Sequence, residues 1–124
     1  MLVKEIMKKP FVVDKDISLK EAAKLMKEKK IGSLLFVEGS KVKGVVTEGD
    51  LTRNFGKKER VSQVMSSGVI AVNFDDVVDK AIEIMKKKKI KTLPVLDSGN
   101  LVGVITSVDI VENFDDLEED FIFE

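Results

Sequence analysis

One stretch of this chain occurs twice, and that repetition limits the possible folds more than any other feature. Leu101-Val102-Gly103-Val104-Ile105-Thr106-Ser107-Val108-Asp109-Ile110 follows Val42-Lys43-Gly44-Val45-Val46-Thr47-Glu48-Gly49-Asp50-Leu51 at a spacing of 59 residues. Each copy is an apolar, β-branched run with one glycine, then Thr-x-x-Asp and a resumed apolar pattern. That reads as a buried strand turning directly into a helix. Thr is the natural N-cap, and the Asp three residues on complements the positive end of the helix dipole. Capping alone would explain either copy, but not two in register.

The repetition runs well beyond the motif. At an offset of 59, fifteen of the 45 positions from Val12 to Gly56 are identical, among them Val13 and Val72, Ala22 and Ala81, and Met26 and Met85. Met7 and Met65 correspond at an offset of 58, so one residue was gained or lost between Met65 and Asp75. The chain is a tandem duplication of a unit of roughly 60 residues, too small to bury enough surface comfortably alone. The two copies are expected to pack about a pseudo-two-fold axis.

Within each copy the pattern predicts strand, helix, strand, strand, helix, an α/β or α+β layer arrangement. In the first, Leu2 to Met7 is a short lead-in helix closed by Pro10, and Phe11 to Val13 is a brief strand. Ser18 and Glu21 form a capping box for a helix over 19–29. Strands 33–37 and 42–46 flank a turn at Glu38 to Lys41, and Thr47 starts the last helix, with Gly56 placed to cap its end. In the second, Val61 to Met65 leads in, Val69 to Val72 is the short strand, and Asp75 or Asp76 caps the next helix. Leu93 to Leu96 and Leu101 to Ile105 then flank the turn Asp97 to Asn100. Met26 and Met85 fall on apolar faces and read as core. The expected division is 1–58, 59–116 and an acidic tail over 117–124, the whole forming one module. From Glu112 onward there are seven acidic residues and no basic ones, with Phe121-Ile122-Phe123 among them. These three are expected to lie on a surface, near the Lys-rich run 86–91.

Composition removes several chemistries. The 124 residues contain no Cys, His, Trp or Tyr, so there is no disulfide or thiolate site, and the commonest general base and metal ligand is missing. Asp75, Asp76 and Asp79 lack the ligand alternation of a calcium loop and read as capping residues, not a metal site. No nucleophile and base stand in evident relation, so no enzyme is expected. Run 86–91 reads as a solvated helix end; without interleaved aromatics, and with an acidic tail, nucleic acid is disfavoured. No apolar run long enough to cross a membrane and no signal-peptide pattern occurs, which points to a cytoplasmic protein.

The doubled Gly44-Val45-Val46-Thr47-x-x-Asp50 pattern is preceded in each copy by an Ala-x-x-Met helix, and in the second by the strand Leu93-Pro94-Val95-Leu96-Asp97. The arrangement resembles the cystathionine-β-synthase (CBS) domain, and two in tandem resemble the CBS pair, or Bateman module. The resemblance covers about residues 1–116.

A carboxylate at a helix start can accept both hydroxyls of a ribose, with backbone N–H groups and a Thr hydroxyl nearby for phosphate. Strand residues supply apolar walls for a flat base. The resemblance implies that nucleotides are held this way, in sites assembled across the pair. Thr47 and Asp50 would face Val69, Ile70, Ala71, Ile90 and Lys91; Thr106 and Asp109 would face Phe11, Val12, Val13, Ile31 and Gly32. Lys91 would give the first site a cation that Gly32 denies the second. The expected role is a regulatory module sensing an adenosyl ligand, whether AMP, ADP, ATP or an S-adenosyl compound, with no required cofactor. It would act on an unidentified partner protein and form a homodimer through Leu51, Phe55, Ile110 and Phe114. The alternative is a ligand-free scaffold that dimerises and docks.

Overall fold

The computed structural model describes residues 1–115; the tail 117–124 and its Phe121-Ile122-Phe123 expectation lie outside them. The elements are, in order, α1 (Val3–Ile6), β1 (Val12–Val13), α2 (Leu19–Lys29), β2 (Ser33–Glu38), β3 (Lys41–Thr47), α3 (Glu48–Arg53), α4 (Val61–Val64), β4 (Val72–Asn73), α5 (Val78–Lys88), β5 (Thr92–Asp97), β6 (Asn100–Thr106) and α6 (Ser107–Glu112). The fold is the mixed α and β arrangement that the repeat predicts, with two three-stranded sheets, β1-β2-β3 and β4-β5-β6, among the described residues.

Both sheets have the same wiring. The middle strand pairs parallel with the two-residue strand before it (Val12 with Leu35, Val72 with Val95) and antiparallel with the strand after it (Ser33 with Thr47, Thr92 with Thr106). Each hairpin carries a register shift near its turn, between Phe36 and Val37 and between Val95 and Leu96.

In space the chain divides into two compact units that cut across the sequence repeats. One is Phe11–Val69; the other joins Met1–Pro10 to the chain from Ile70 onward. Each lead-in helix thus packs on the sheet of the other repeat. In the Phe11–Val69 unit, Val61 of α4 is fully buried with Leu19, Ala22, Met26, Leu34 and Val46. In the other unit, Val3 and Ile6 of α1 join Val72, Val78, Ala81, Met85, Leu93, Val95 and Ile105. Apolar burial drives both groupings, and α1 and α4, at four residues each, are too short to persist without it.

This exchange also answers how the long helices begin. Ser18 Oγ accepts from Glu21 N at 3.1 Å, as expected for α2. The capping expected of Asp75 or Asp76 does not occur, because Val77 is the N-cap of α5 and makes no side-chain bond. Instead Val78 N donates to Met1 O at 2.9 Å, while Asp76 Oδ2 accepts from Asn73 N at 2.8 Å. The lead-in backbone supplies the acceptor that a side chain would otherwise provide. Nor does Gly56 close α3. Asn54 is the C-cap, its Nδ2 donating to Asp50 O at 2.7 Å, and Asn113 does the same for Asp109 O at 2.7 Å.

Candidate functional site

The two Thr-x-x-Asp segments are built alike. Thr47 N and Oγ1 donate to Asp50 Oδ2 at 2.9 and 3.2 Å, and Asp50 N donates back to Thr47 Oγ1 at 3.2 Å. Thr106 N and Oγ1 reach Asp109 Oδ2 at 2.8 and 2.9 Å, with the return bond from Asp109 N at 3.2 Å. Asp50 and Asp109 are the buried charged residues of the described chain, 7% and 2% exposed. A carboxylate that deep needs partners for both oxygens. Oδ2 has two donors from the cap, and Oδ1 meets a cation: Arg53 Nη2 at 2.5 Å from Asp50, Lys8 Nζ at 3.0 Å from Asp109. Lys8 also reaches Glu112 Oε2 at 3.1 Å. Its hydrogen bond to Asp109, then that to Glu112, hold the Lys8 ammonium above its ordinary pKa.

Strand register decides what stands beside each carboxylate. Because β2 and β3 are antiparallel with Ser33 opposite Thr47, the residues entering β2 lie next to the start of α3, and Glu48 N donates to Gly32 O at 3.1 Å. Likewise Ser107 N donates to Lys91 O at 2.9 Å. The parallel first strand begins at the same end of the sheet: Val12 pairs with Leu35, and Ile70-Ala71 lead into Val72 opposite Val95. One end of the first sheet therefore gathers Val12, Val13, Gly32, Thr47 and Asp50. The matching end of the second gathers Ile70, Ala71, Lys91, Thr106 and Asp109.

The sequence reading has Asp50 face Lys91 and Asp109 face Gly32 across the pair. Within each unit the hairpin sets Gly32 beside the Asp50 segment and Lys91 beside the Asp109 segment, since a hairpin returns the chain to its starting level. Val12 and Ile70 are 39% and 36% exposed, which leaves apolar surface at these sheet ends. A hollow of about 470 Å³ next to Gly32 is lined by Ile31, Glu48, Leu51 and Thr52, with Ala23, Met26, Lys27 and Lys30 from α2 and its C-cap. Among the described residues, no cluster of three or more Asp or Glu side chains could hold a metal ion, and no helix is long and apolar enough to cross a membrane.

The sequence profile of the CBS domain matches residues 3–57 and again 61–116. The chain belongs to the CBS-domain family. Its relatives differ in how much of their length the match covers. An inosine-5'-monophosphate dehydrogenase of Thermoplasma acidophilum is 37% identical over 119 residues, which are 93% of this chain and 24% of that protein. A homoserine O-acetyltransferase of Methanohalobium evestigatum is 36% identical over 101 residues, 79% of this chain and 21% of the relative. This chain thus spans a fifth to a quarter of the length of those enzymes. The CBS domain-containing protein YhcV of Bacillus subtilis is nearer in size, 32% identical over 77% of this chain and 72% of its own. Among solved structures, the CBS domain pair of protein MJ0100, in complex with 5'-methylthioadenosine and S-adenosyl-L-methionine, superposes with a TM-score of 0.87 at 33% identity, covering 93% of this chain and 96% of that one.

Proposed function

We propose that this CBS pair is a regulatory module that binds adenosyl compounds at the sheet ends carrying Asp50 and Asp109, without catalysis of its own. The observation that carries the reading is the likeness, at 33% identity over almost the whole chain, to a CBS pair in complex with two adenosyl compounds. The local geometry supports it. Each carboxylate keeps its Oδ1 outside the cap, where a vicinal diol could reach it, and exposed Val12 or Ile70 offers an apolar surface for a flat base. No cofactor is needed for such a role.

The choice among AMP, ADP, ATP and S-adenosyl compounds, the protein regulated and a cytoplasmic setting belong to the same proposal. Enzyme relatives in which the matched part is a fifth to a quarter of the whole support control of another protein. Self-association is its further part. Of the four residues expected at the dimer contact, Leu51 and Ile110 pack against the cores of their own units, while Phe55 is 91% and Phe114 57% exposed and Val111, beside Ile110, is 71% exposed, apolar surface that an isologous dimer would cover. A ligand-free scaffold would share these apolar residues and would use the two carboxylates only as caps.

Replacement of each carboxylate by Asn tests the site. Asp50→Asn and Asp109→Asn retain an acceptor for the cap but lose the charge. Each should weaken 5'-methylthioadenosine at its own site by about tenfold or more, since a charge-assisted hydrogen bond is worth roughly 1.5–3 kcal/mol. Titration calorimetry reads this directly, and unchanged affinity in both variants would show that the carboxylates serve only as caps.

A further inference from the structure

The cations facing the two buried carboxylates come from different places in the sequence. Asp50 is paired with Arg53, one turn along its own helix. Fifty-nine residues on, the place of Arg53 is taken by Glu112, which cannot serve Asp109. The charge is restored from position 8. Lys8 N donates to Val104 O and Val104 N to Lys8 O, each at 2.9 Å, which fixes this residue against β6. Its counterpart Ser66 is held to β3 by the same pair of bonds, Ser66 N to Val45 O at 3.0 Å and Val45 N to Ser66 O at 3.2 Å, but brings no charge. The repeats have thus diverged together at 53/112 and at 8/66, and each Asp still ends with one cation on Oδ1.

The chemistry of that pair goes beyond neutralisation. Among the described residues Lys8 Nζ has two partners, Asp109 Oδ1 and Glu112 Oε2, and an ammonium has three N–H donors. Asp109 Oδ1, occupied by Lys8, retains a second acceptor direction. By count of partners among the described residues, one Lys8 donor and one lone pair of the buried Asp109 Oδ1 are left over, the complement of two neighbouring hydroxyls. We propose that Lys8 is a ligand-binding residue of the Asp109 site, donating to one sugar hydroxyl while Asp109 accepts from the other. Occupation of that site therefore tethers the segment 3–8, whereas the Asp50 site, served by Arg53 of its own helix, leaves the segment untouched. The inference rests on the adenosyl reading above.

The test uses the full chain and 5'-methylthioadenosine, by titration calorimetry with amide hydrogen exchange of residues 3–8. Wild type should show two sites, and ligand should slow exchange across 3–8. Lys8→Met should weaken one site by about tenfold, leave the other alone and abolish the slowing, while Lys8→Arg should restore most of both. Arg53→Met should weaken the complementary site and keep the slowing. Lys8→Met with both affinities unchanged would reduce Lys8 to a partner of Asp109 and overturn the inference, whatever happens to stability. So would a Lys8→Arg variant that folds like wild type yet binds as poorly as Lys8→Met. A wild type that binds none of 5'-methylthioadenosine, S-adenosyl-L-methionine, AMP, ADP and ATP overturns the earlier reading and this inference with it.

Discussion

A methyl group on Gly103 would stand 2.6 Å from Met7 Sδ and 3.3 Å from Lys8 O, and one on Gly44 would stand 2.6 Å from Met65 Cγ. The glycine inside each repeated strand is there for closeness of approach, because a lead-in methionine lies directly on it. This is one contact made twice, from residues that the sequence separates by 96 and by 21 positions (103 − 7 and 65 − 44). Gly103→Ala should then push Met7 and the backbone of Lys8 off the strand, at a cost of about 1–3 kcal/mol in urea unfolding. Loss below about 0.5 kcal/mol would mean that the thioether simply swings aside. Residue identity in the Thr-x-x-Asp segments was legible for the same reason that it is repeated. Thr hydroxyl, backbone N–H and carboxylate close on one another within four residues, so no distant partner is needed to specify them.

At the scale of elements, legibility follows locality. The helices α2 and α5, the two hairpins and β1 stand where periodicity and turn residues put them, whereas the second short strand, expected over Val69 to Val72, pairs only as Val72–Asn73. What the pattern could not disclose was which sheet each lead-in joins, because Val3, Ile6 and Val61 are apolar residues that would fit either. The misassigned caps follow from that. With Met1 O serving Val78 N, and Ile17 O serving Val61 N at 2.9 Å, start signals near these helices do other work. Asp16 is an example: its carboxylate accepts from Ser62 N at 3.0 Å and Ser62 Oγ at 2.6 Å, so it caps α4 from 46 positions away. Those two bonds, the hydroxyl first, hold Asp16 below the ordinary carboxylate pKa. Hairpin geometry, by contrast, is enough to set Gly32 beside Asp50 and Lys91 beside Asp109 within their units.

At the scale of the whole molecule, a duplicated fold carries two carboxylates that cost free energy to bury and that both repeats nevertheless retain. Exposed Phe55, Val111 and Phe114 add the expectation of a homodimer. Sedimentation equilibrium at micromolar concentration should give twice the chain mass of 13.8 kDa. Phe55→Ser together with Phe114→Ser should shift it toward the single-chain mass, whereas a wild type already at 13.8 kDa would remove self-association from the proposal. The packing of α1 on the second sheet and the Lys8–Asp109 pair were beyond sequence reasoning because both depend on contacts across most of the chain. Binding of adenosyl compounds by this pair needs neither of them. Titration calorimetry of the wild-type chain with 5'-methylthioadenosine, S-adenosyl-L-methionine, AMP, ADP and ATP, beside a guanosine nucleotide and an adenine deoxynucleoside lacking the diol, tests that binding most directly. Saturable binding of at least one adenosyl ribonucleoside, weakened about tenfold or more when the diol is removed, is the predicted result; flat isotherms across the whole panel would contradict it.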